Sequence, residues 1–198
     1  MWATGPASPL KKKEGRARGH SGVTLQDLPG VYSLSPYTPE EIITRDYLVK
    51  ERPDAIINLV DATNLERNLY LTSQLLELGI PVVVALNMMD LVKKSGDMID
   101  RAALSKALGC PVVEISALRN QGLDELLRQA VQAAQKAHST PPNTLSGPAT
   151  PAQAVRPGKK GMKARSPPRD MAVRVCFCRE SGIREPLKPA FWKLFDRY

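Results

Sequence analysis

Two nearly continuous apolar runs, "DAIINLVDA" at residues 54–62 and "IPVVVALN" at residues 80–87, constrain the fold more than any other feature of this sequence. A strand with one face in water alternates apolar and polar residues, so runs of this kind indicate strands that are buried on both faces. Residues Leu65–Leu78 between them have the spacing of a helix that ends at Gly79. A buried strand, a crossover helix and a second buried strand predict a parallel sheet covered by helices.

Further elements on both sides continue the alternation of strand and helix. A helix is predicted over Pro39–Lys50, because Thr38 suits its N-cap, Pro39 suits its first position and two glutamates lie in its first turn. We therefore expect an α/β fold. The remaining predicted elements are strands at Val23–Leu28 and at "PVVEIS" (111–116), a helix at Ile99–Leu108 and an amphipathic helix at "GLDELLRQAVQAAQKA" (122–137).

Composition divides the chain into three parts. Residues 23–138 carry the periodic pattern and hold 11 Lys and Arg against 15 Asp and Glu, a net charge of −4, so the overall charge of +8 comes from the ends. Residues 1–22 are predicted to be a partial, irregular segment. Residues 139–198 are rich in proline and basic residues, and we predict that this tail is mostly disordered because its first half cannot bury a core.

Composition also limits the functional classes. The most apolar window, "LLELGIPVVVALNMMDLV", is interrupted by Gly79, Pro81 and charged residues, so no transmembrane segment is predicted. The first 15 residues lack the apolar core of a signal peptide. Three cysteines without a secretory signal fit a reducing compartment. Cys176 and Cys178 form a Cys-x-Cys pair, but without a second pair or a nearby His a structural role is favoured over a metal site.

Polar residues follow three of the predicted strands. Each group alone is a weak signal, because Asp-x-Pro-Gly is an ordinary turn and Asn-x-x-Asp often caps a helix. Their order and their placement predict one shared ligand site, because ligands bind beyond the carboxyl ends of the strands in an open parallel sheet. The three strand-end loops are Asp27-Leu28-Pro29-Gly30, Asn87-Met88-Met89-Asp90 and Ser116-Ala117-Leu118.

The chemistry of these loops suits a guanine nucleotide. The Asp90 carboxylate can accept from the ring N–H and the exocyclic amine of guanine, a donor pair that adenine lacks, and Asn87 can brace the loop and contact the base edge. The backbone N–H groups of Ser116–Leu118 can donate to the guanine carbonyl oxygen. Asp27 suits Mg²⁺ held through water, and Gly30 leaves space for a terminal phosphate. No catalytic residue is predicted.

At this point the sequence resembles a known family. The stretches "DLPGVYSLSPYTPEEIITRDYL", "PDAIINLVDATNLERNLYLTSQLLELGIPVVVALNMMD" and "VVEISAL" are similar to the G domain of the ferrous iron transport protein B (FeoB) family, over roughly Lys12 to Lys136. The resemblance implies a P-loop-GTPase-like parallel sheet that binds GTP or GDP with Mg²⁺, in a cytoplasmic domain joined to a membrane-embedded ferrous iron permease. It assigns Asp27–Gly30 to magnesium and the γ-phosphate, Asn87–Asp90 to guanine and Ser116–Leu118 to support of the base.

The sequence departs from this family where phosphate is bound. It contains no G-x-x-x-x-G-K-[ST] loop, whose backbone donors and lysine hold phosphates, and the position that the family fills with a magnesium-binding threonine holds Pro9. In the family's fold the strand before that loop lies between the strands ending at Asp27 and Asp61. Without it we expect either a gap or direct pairing of those two strands. We also expect weakened nucleotide and magnesium binding and negligible hydrolysis of GTP.

Two other readings compete with an impaired G domain. The chain can be a non-enzymatic interaction module whose basic tail binds nucleic acid or anionic membrane. Nucleic acid is the less favoured partner, because the tail contains no recognisable base-stacking module. Alternatively, the abrupt departures at both ends suggest a truncated or frame-disrupted reading frame or a genuine fragment, and a sheet that lacks an inner strand is expected not to fold stably.

Overall fold

The computed structural model describes residues 13–17, 19–20, 22–139 and 173–179, and these form a sheet with helices on both faces. A single 3₁₀ turn at Ala62–Asn64 leads from the third strand into the second helix. The strands are β1 (Lys13–Arg16), β2 (Val23–Asp27), β3 (Ala55–Asp61), β4 (Val82–Asn87), β5 (Val112–Glu114) and β6 (Val173–Arg179). The helices are α1 (Pro39–Lys50), α2 (Leu65–Glu77), α3 (Met89–Ser95), α4 (Arg101–Leu108) and α5 (Leu123–Ser139).

The sheet has the strand order β1-β2-β6-β3-β4-β5. The β1 strand is antiparallel to β2, and all the other neighbouring strands are parallel. Every residue of β4, and every residue of β3 except the last, is buried, as the apolar runs predict. Two hydrophobic clusters lie on opposite faces of the sheet: α5 covers one face, and residues of α1 and α2 belong to the cluster on the other.

Helix α1 begins at the predicted residue because its cap is complete. Thr38 Oγ1 accepts from the Glu41 N–H at 3.2 Å, and the Glu41 carboxylate accepts from the Thr38 N–H at 3.1 Å. This reciprocal pair satisfies two backbone donors that the first turn of a helix leaves free. Glu41 also accepts from the Ser33 hydroxyl at 3.2 Å, so the cap ties the helix to the loop that follows β2.

The α/β fold with a parallel sheet is confirmed, and most element bounds differ from the predictions by one or two residues. Two elements were not predicted, besides the strand β6 described below. Lys13–Arg16, inside the segment expected to be irregular, is the strand β1, and Met89–Ser95 is the short helix α3. The predictions for residues 1–12, 18, 21, 140–172 and 180–198 lie outside the described residues.

The expectation of a gap, or of direct pairing between β2 and β3, is wrong. The strand β6, from the tail predicted to be mostly disordered, lies between them and is parallel to both. Val23 pairs with Val173 and Asp27 with Phe177 on one side, and Ala55 pairs with Val175 on the other. The interior of the sheet is therefore continuous.

The cysteines of the described residues are free thiols in the core. Burial raises the pKa of the Cys110 thiol to about 11. Burial, together with the neighbouring Cys178 thiol, raises the pKa of Cys176 well above its ordinary value. Among the described residues no group of three or more His, Cys, Asp or Glu side chains is placed to hold a metal ion. In the same part of the chain, no helix has the length and apolar character needed to span a bilayer.

The packing of α5 on the sheet gives a first prediction. Leu126 is fully buried in the cluster that also contains Val83 and Phe177. We expect Leu126→Ala to lower the free energy of unfolding by about 2–5 kcal/mol, because it leaves a cavity. Gln132→Ala, an exposed position on the same helix, should change it by less than about 0.5 kcal/mol. Urea unfolding measures both, and equal effects would contradict this packing.

Candidate functional site

The three strand-end loops lie at one edge of the sheet. The strands β2, β4 and β5 belong to its parallel part, so the residues that follow Asp27, Asn87 and Glu114 all leave at the carboxyl edge. The β2 and β4 strands are three strand positions apart, roughly 14 Å at the usual spacing of neighbouring strands. The edge therefore presents Asp27–Gly30 at one end and the other two loops together at the other end.

The Asn87–Asp90 and Ser116–Leu118 loops are joined directly by a buried hydrogen bond. The Ala117 N–H donates to Asn87 Oδ1 at 3.2 Å, and both residues are almost fully buried. Neighbouring pairing of β4 and β5 brings these residues together although they are 30 positions apart in sequence. The amide nitrogen Nδ2 of Asn87 donates to no group in the described part of the chain.

The backbone donors of Ser116–Leu118 are not equivalent. Ser116 and Gln121 exchange two backbone hydrogen bonds, each of 3.1 Å, which close a tight turn before α5. Gly122 ends that turn with a φ of 78°, and a Cβ there would lie 2.3 Å from the Glu114 carbonyl oxygen. Since the Ala117 N–H is used by Asn87, Leu118 supplies the one N–H of the three that has no partner among the described residues.

Asp90 lies in the first turn of α3, beside these loops. Met88 precedes that helix in the left-handed conformation, with a φ of 63°, and Met89 is buried in the core. Asp90 is half-buried, and its carboxylate has no hydrogen-bond partner in the described residues. One turn further on, Lys93 forms a 3.6 Å ion pair with Glu114 at the end of β5, which holds α3 against that strand.

The Asp27–Gly30 loop is held at the far end of the same edge. The Leu28 N–H donates to the Phe177 carbonyl at 3.2 Å, and the Leu28 side chain is 1% exposed. The Pro29 carbonyl accepts from the Thr44 hydroxyl of α1 at 3.4 Å. Asp27, Pro29 and Gly30 are half-buried, so the loop turns at the surface of the molecule while Leu28 fixes it to the core.

Asp61 is a further polar residue at this edge, and it was not among the predicted site residues. It follows β3, and its carboxylate accepts from the Thr63 N–H at 2.8 Å and from the Thr63 hydroxyl at 2.7 Å. Its own N–H donates to Asn68 of α2 at 3.2 Å. Its position in the sequence could have indicated it, because Asp61 lies near the end of a predicted strand, as Asp27 does. These bonds make it the cap of the 3₁₀ turn between β3 and α2.

This fold, with its polar loops gathered at the carboxyl edge, places the chain among the α/β proteins with an open parallel sheet, in which ligands bind beyond the carboxyl ends of the strands. The family model described as ferrous iron transport protein B (FeoB_N) matches residues 6–130, more than half of the chain. The chain therefore belongs to the FeoB family, as its sequence indicates.

Curated relatives agree with this assignment. The chain is 55% identical over 119 residues to the Fe(2+) transport protein A/Fe(2+) transporter FeoB fusion protein of Porphyromonas gingivalis, covering 59% of this chain and 14% of that one. It is 50% identical over 122 residues to the Fe(2+) transporter FeoB of Salmonella typhimurium, covering 59% of this chain and 16% of that one. The chain thus spans about one seventh of the length of these relatives.

Solved structures agree as well. The FeoB G domain of Methanococcus jannaschii matches with a TM-score of 0.55 and 50% identity, over 57% of this chain and 72% of that one. The mGMPPNP-bound NFeoB of S. thermophilus matches with a TM-score of 0.62 and 47% identity, over 68% of this chain and 52% of that one. A variant of the same S. thermophilus protein bound to GDP matches with a TM-score of 0.62 and 48% identity, over 66% and 52% of the two chains.

The hydrogen bond between the two loops gives a second prediction. We expect Asn87→Ala to lower the free energy of unfolding by about 1–3 kcal/mol, because the buried Ala117 N–H loses its acceptor. Asp90→Ala should cost no more than about 0.3–1 kcal/mol, the interaction of a carboxylate with a helix N-terminus. Urea unfolding without nucleotide compares them. If the Asp90 variant were the less stable of the two, the hydrogen bond between Ala117 and Asn87 would not be the interaction that holds the loops together.

Proposed function

We propose that this chain binds guanine nucleotides at the carboxyl edge of its sheet, as the G domain of a ferrous iron transporter. The observation that carries the proposal is the bond between Asn87 and Ala117, which holds the two base-side loops together before any ligand is present. That arrangement leaves three groups for a base: the Asp90 carboxylate, Asn87 Nδ2 and the Leu118 N–H.

These three groups match the edge of guanine. Guanine offers a ring N–H and an exocyclic amine as donors, and the Asp90 carboxylate accepts from both. Its N7 and O6 atoms are acceptors, which suit the Asn87 Nδ2 amide and the Leu118 N–H. Adenine has an amine in place of the carbonyl and lacks the ring N–H, so it would leave a carboxylate and a backbone donor unpaired.

Asp27 is proposed to serve Mg²⁺ at the opposite end of the edge. A single carboxylate suits Mg²⁺, which keeps most of its water and takes further ligands from phosphates. The described residues contain no cluster of acidic side chains that would bind the ion alone. We therefore propose that Mg²⁺ binds here only together with a nucleotide phosphate, and that Gly30 permits the close approach of that phosphate.

Phosphate binding is proposed to be the weak part of this site. The 198-residue sequence has no G-x-x-x-x-G-K-[ST] loop, so the backbone cradle and the lysine that neutralise phosphates in P-loop proteins are missing. We propose low affinity for GDP and GTP, retained preference for guanine, and negligible hydrolysis of GTP. In a transporter the domain would work at the cytosolic face of the membrane, coupled to the permease portion.

The base preference is tested by calorimetry of the whole chain with GDP and ADP. We expect binding of GDP and no measurable binding of ADP. Asp90→Asn should weaken binding of GDP by roughly ten- to hundredfold, because one carboxylate acceptor becomes an amide donor facing the exocyclic amine and the remaining bond loses its charged acceptor. The same variant should improve binding of xanthosine diphosphate, whose second carbonyl can accept from the new amide.

The matched control is Asp46→Asn, an exposed carboxylate of α1 that pairs with Lys50 far from the edge. It should leave all affinities unchanged. Equal affinity of the unmodified chain for GDP and ADP would refute the base site, as would an Asp90 variant that binds GDP normally.

The metal role of Asp27 is tested by the same titrations with and without Mg²⁺. We expect Mg²⁺ to increase the affinity for GTP in the unmodified chain, and Asp27→Asn to abolish that increase while leaving binding in the presence of chelator unchanged. The reason is that the substitution removes the charged oxygen ligand and keeps the size of the side chain. An undiminished magnesium effect in Asp27→Asn would assign the ion to other residues.

A further inference from the structure

The interior strand β6 reaches its place from the far end of the sequence. The strands β1, β2, β3, β4 and β5 and the helix α5 follow one another closely in sequence, whereas Val173 follows the end of α5 by 34 positions. Yet β6 pairs with β2 over five residues and with β3 over five residues. Pairing along both of its edges, and not its neighbours in sequence, determines where this strand lies.

Both faces of β6 are packed in the core. Val173, Val175 and Phe177 belong to the cluster under α5, and Cys176 and Cys178 belong to the cluster on the opposite face. All five side chains are at most 7% exposed. The space between β2 and β3 therefore selects an extended segment that is apolar on both faces.

Without β6, the strands β2 and β3 would each present an unpaired edge inside the protein. They lie two strand positions apart, about 9–10 Å at the usual spacing, which is too far for backbone hydrogen bonds between them. Buried N–H and C=O groups need partners, so this empty position would be costly for the remaining sheet. The position between β2 and β3, which β6 fills, thus has the properties of a binding site for one strand.

The beginning of β6 is recognised by one carboxylate. Asp54 accepts from the Arg174 N–H at 2.6 Å and also contacts Nε2 of His138, near the end of α5, at 3.0 Å. The Arg174 guanidinium donates to the Glu51 carbonyl at 3.0 Å. The end of α5 and the start of β6 thus lie side by side at Asp54. These two points are neighbours in space although 34 positions separate Ser139 from Val173 in sequence.

We propose that the space between β2 and β3 is a strand-binding site whose ligand is the segment Val173–Arg179, acting as a separable element that completes the sheet. Its occupancy also sets the position of the Asp27–Gly30 loop, because the Leu28 N–H donates to the Phe177 carbonyl and the Leu28 side chain packs in the same cluster as Cys176 and Cys178. The loops at Asn87 and Ser116 lie beyond β3, and no hydrogen bond joins them to β6 within the described residues.

The test uses the full chain with a site-specific protease sequence inserted after Thr150. After folding and cleavage, we expect the two fragments to elute together in size-exclusion chromatography. The unfolding midpoint of the cleaved protein should fall on dilution, because the strand is now a ligand that obeys mass action. A labelled synthetic peptide of residues 171–180 should exchange into the complex.

Two variants of the cleavable chain provide the comparison. Val175→Asp places a charge in the core and should release the C-terminal fragment, whereas Gln132→Asp, which places the same charge at an exposed position of α5, should retain it. The proposal is overturned if the C-terminal fragment of the unmodified sequence elutes separately while the remainder unfolds cooperatively at the midpoint of the uncleaved chain.

Hydrogen exchange in the uncleaved chain distinguishes local release from global unfolding. In Val175→Asp the Leu28 N–H should exchange at least about tenfold faster, while the Ile115 N–H, which donates to the Leu86 carbonyl at 2.8 Å, should keep its protection. Equal loss at both amides would show that the sheet is one cooperative unit and that β6 is not separable. None of these readouts depends on nucleotide binding.

Discussion

The backbone pairing of β6 with β2 on one side and β3 on the other is the interaction that joins the two parts of the sheet. The β1 and β2 strands form one part of the sheet, and β3, β4 and β5 form the other. In the ladder of hydrogen bonds, only β6 joins these parts within the described residues. The seven-residue strand β6 therefore sets the relative position of the two ends of the carboxyl edge.

This division gives the two ends of the edge different physical characters. The end with the Asn87 and Ser116 loops is held by the buried hydrogen bond from the Ala117 N–H to the Asn87 side chain, and by the turn between Ser116 and Gln121. Those contacts form within β4, β5 and the segments that directly follow them. The Asp27 side depends instead on the carbonyl of Phe177, which is 149 positions away from Leu28 in sequence. Local contacts thus fix the loops at Asn87 and Ser116, whereas the distant segment β6 positions the Asp27–Gly30 loop.

The sequence revealed those elements whose signals are local. The apolar runs predicted β3 and β4, and Thr38 with Glu41 marked the first turn of α1. The strand β1 was missed because "KEGR" has no strand pattern and is defined only by its pairing with β2. The helix α3 was missed because it is short and begins after Met88 in a left-handed conformation. The strand β6 was missed because its partners are more than 100 positions away. Its sequence, "VRVCFCR", contains two arginines and has no local indication of where it pairs.

The same asymmetry bears on what a G domain without a phosphate-binding loop can still do. Affinity sums the contacts to base, sugar and phosphates, whereas preference for guanine over adenine is a difference that contains only the contacts to the base. Removing phosphate donors lowers the affinity for GDP and ADP by a similar factor and leaves their ratio unchanged. The loops at Asn87 and Ser116 are held by hydrogen bonds that do not involve phosphate. We therefore propose that this chain keeps its preference for guanine over adenine although its affinity for nucleotides is low. In this proposal the loops at Asn87 and Ser116 determine selectivity, both ends of the edge contribute to binding strength, and β6 joins the two ends.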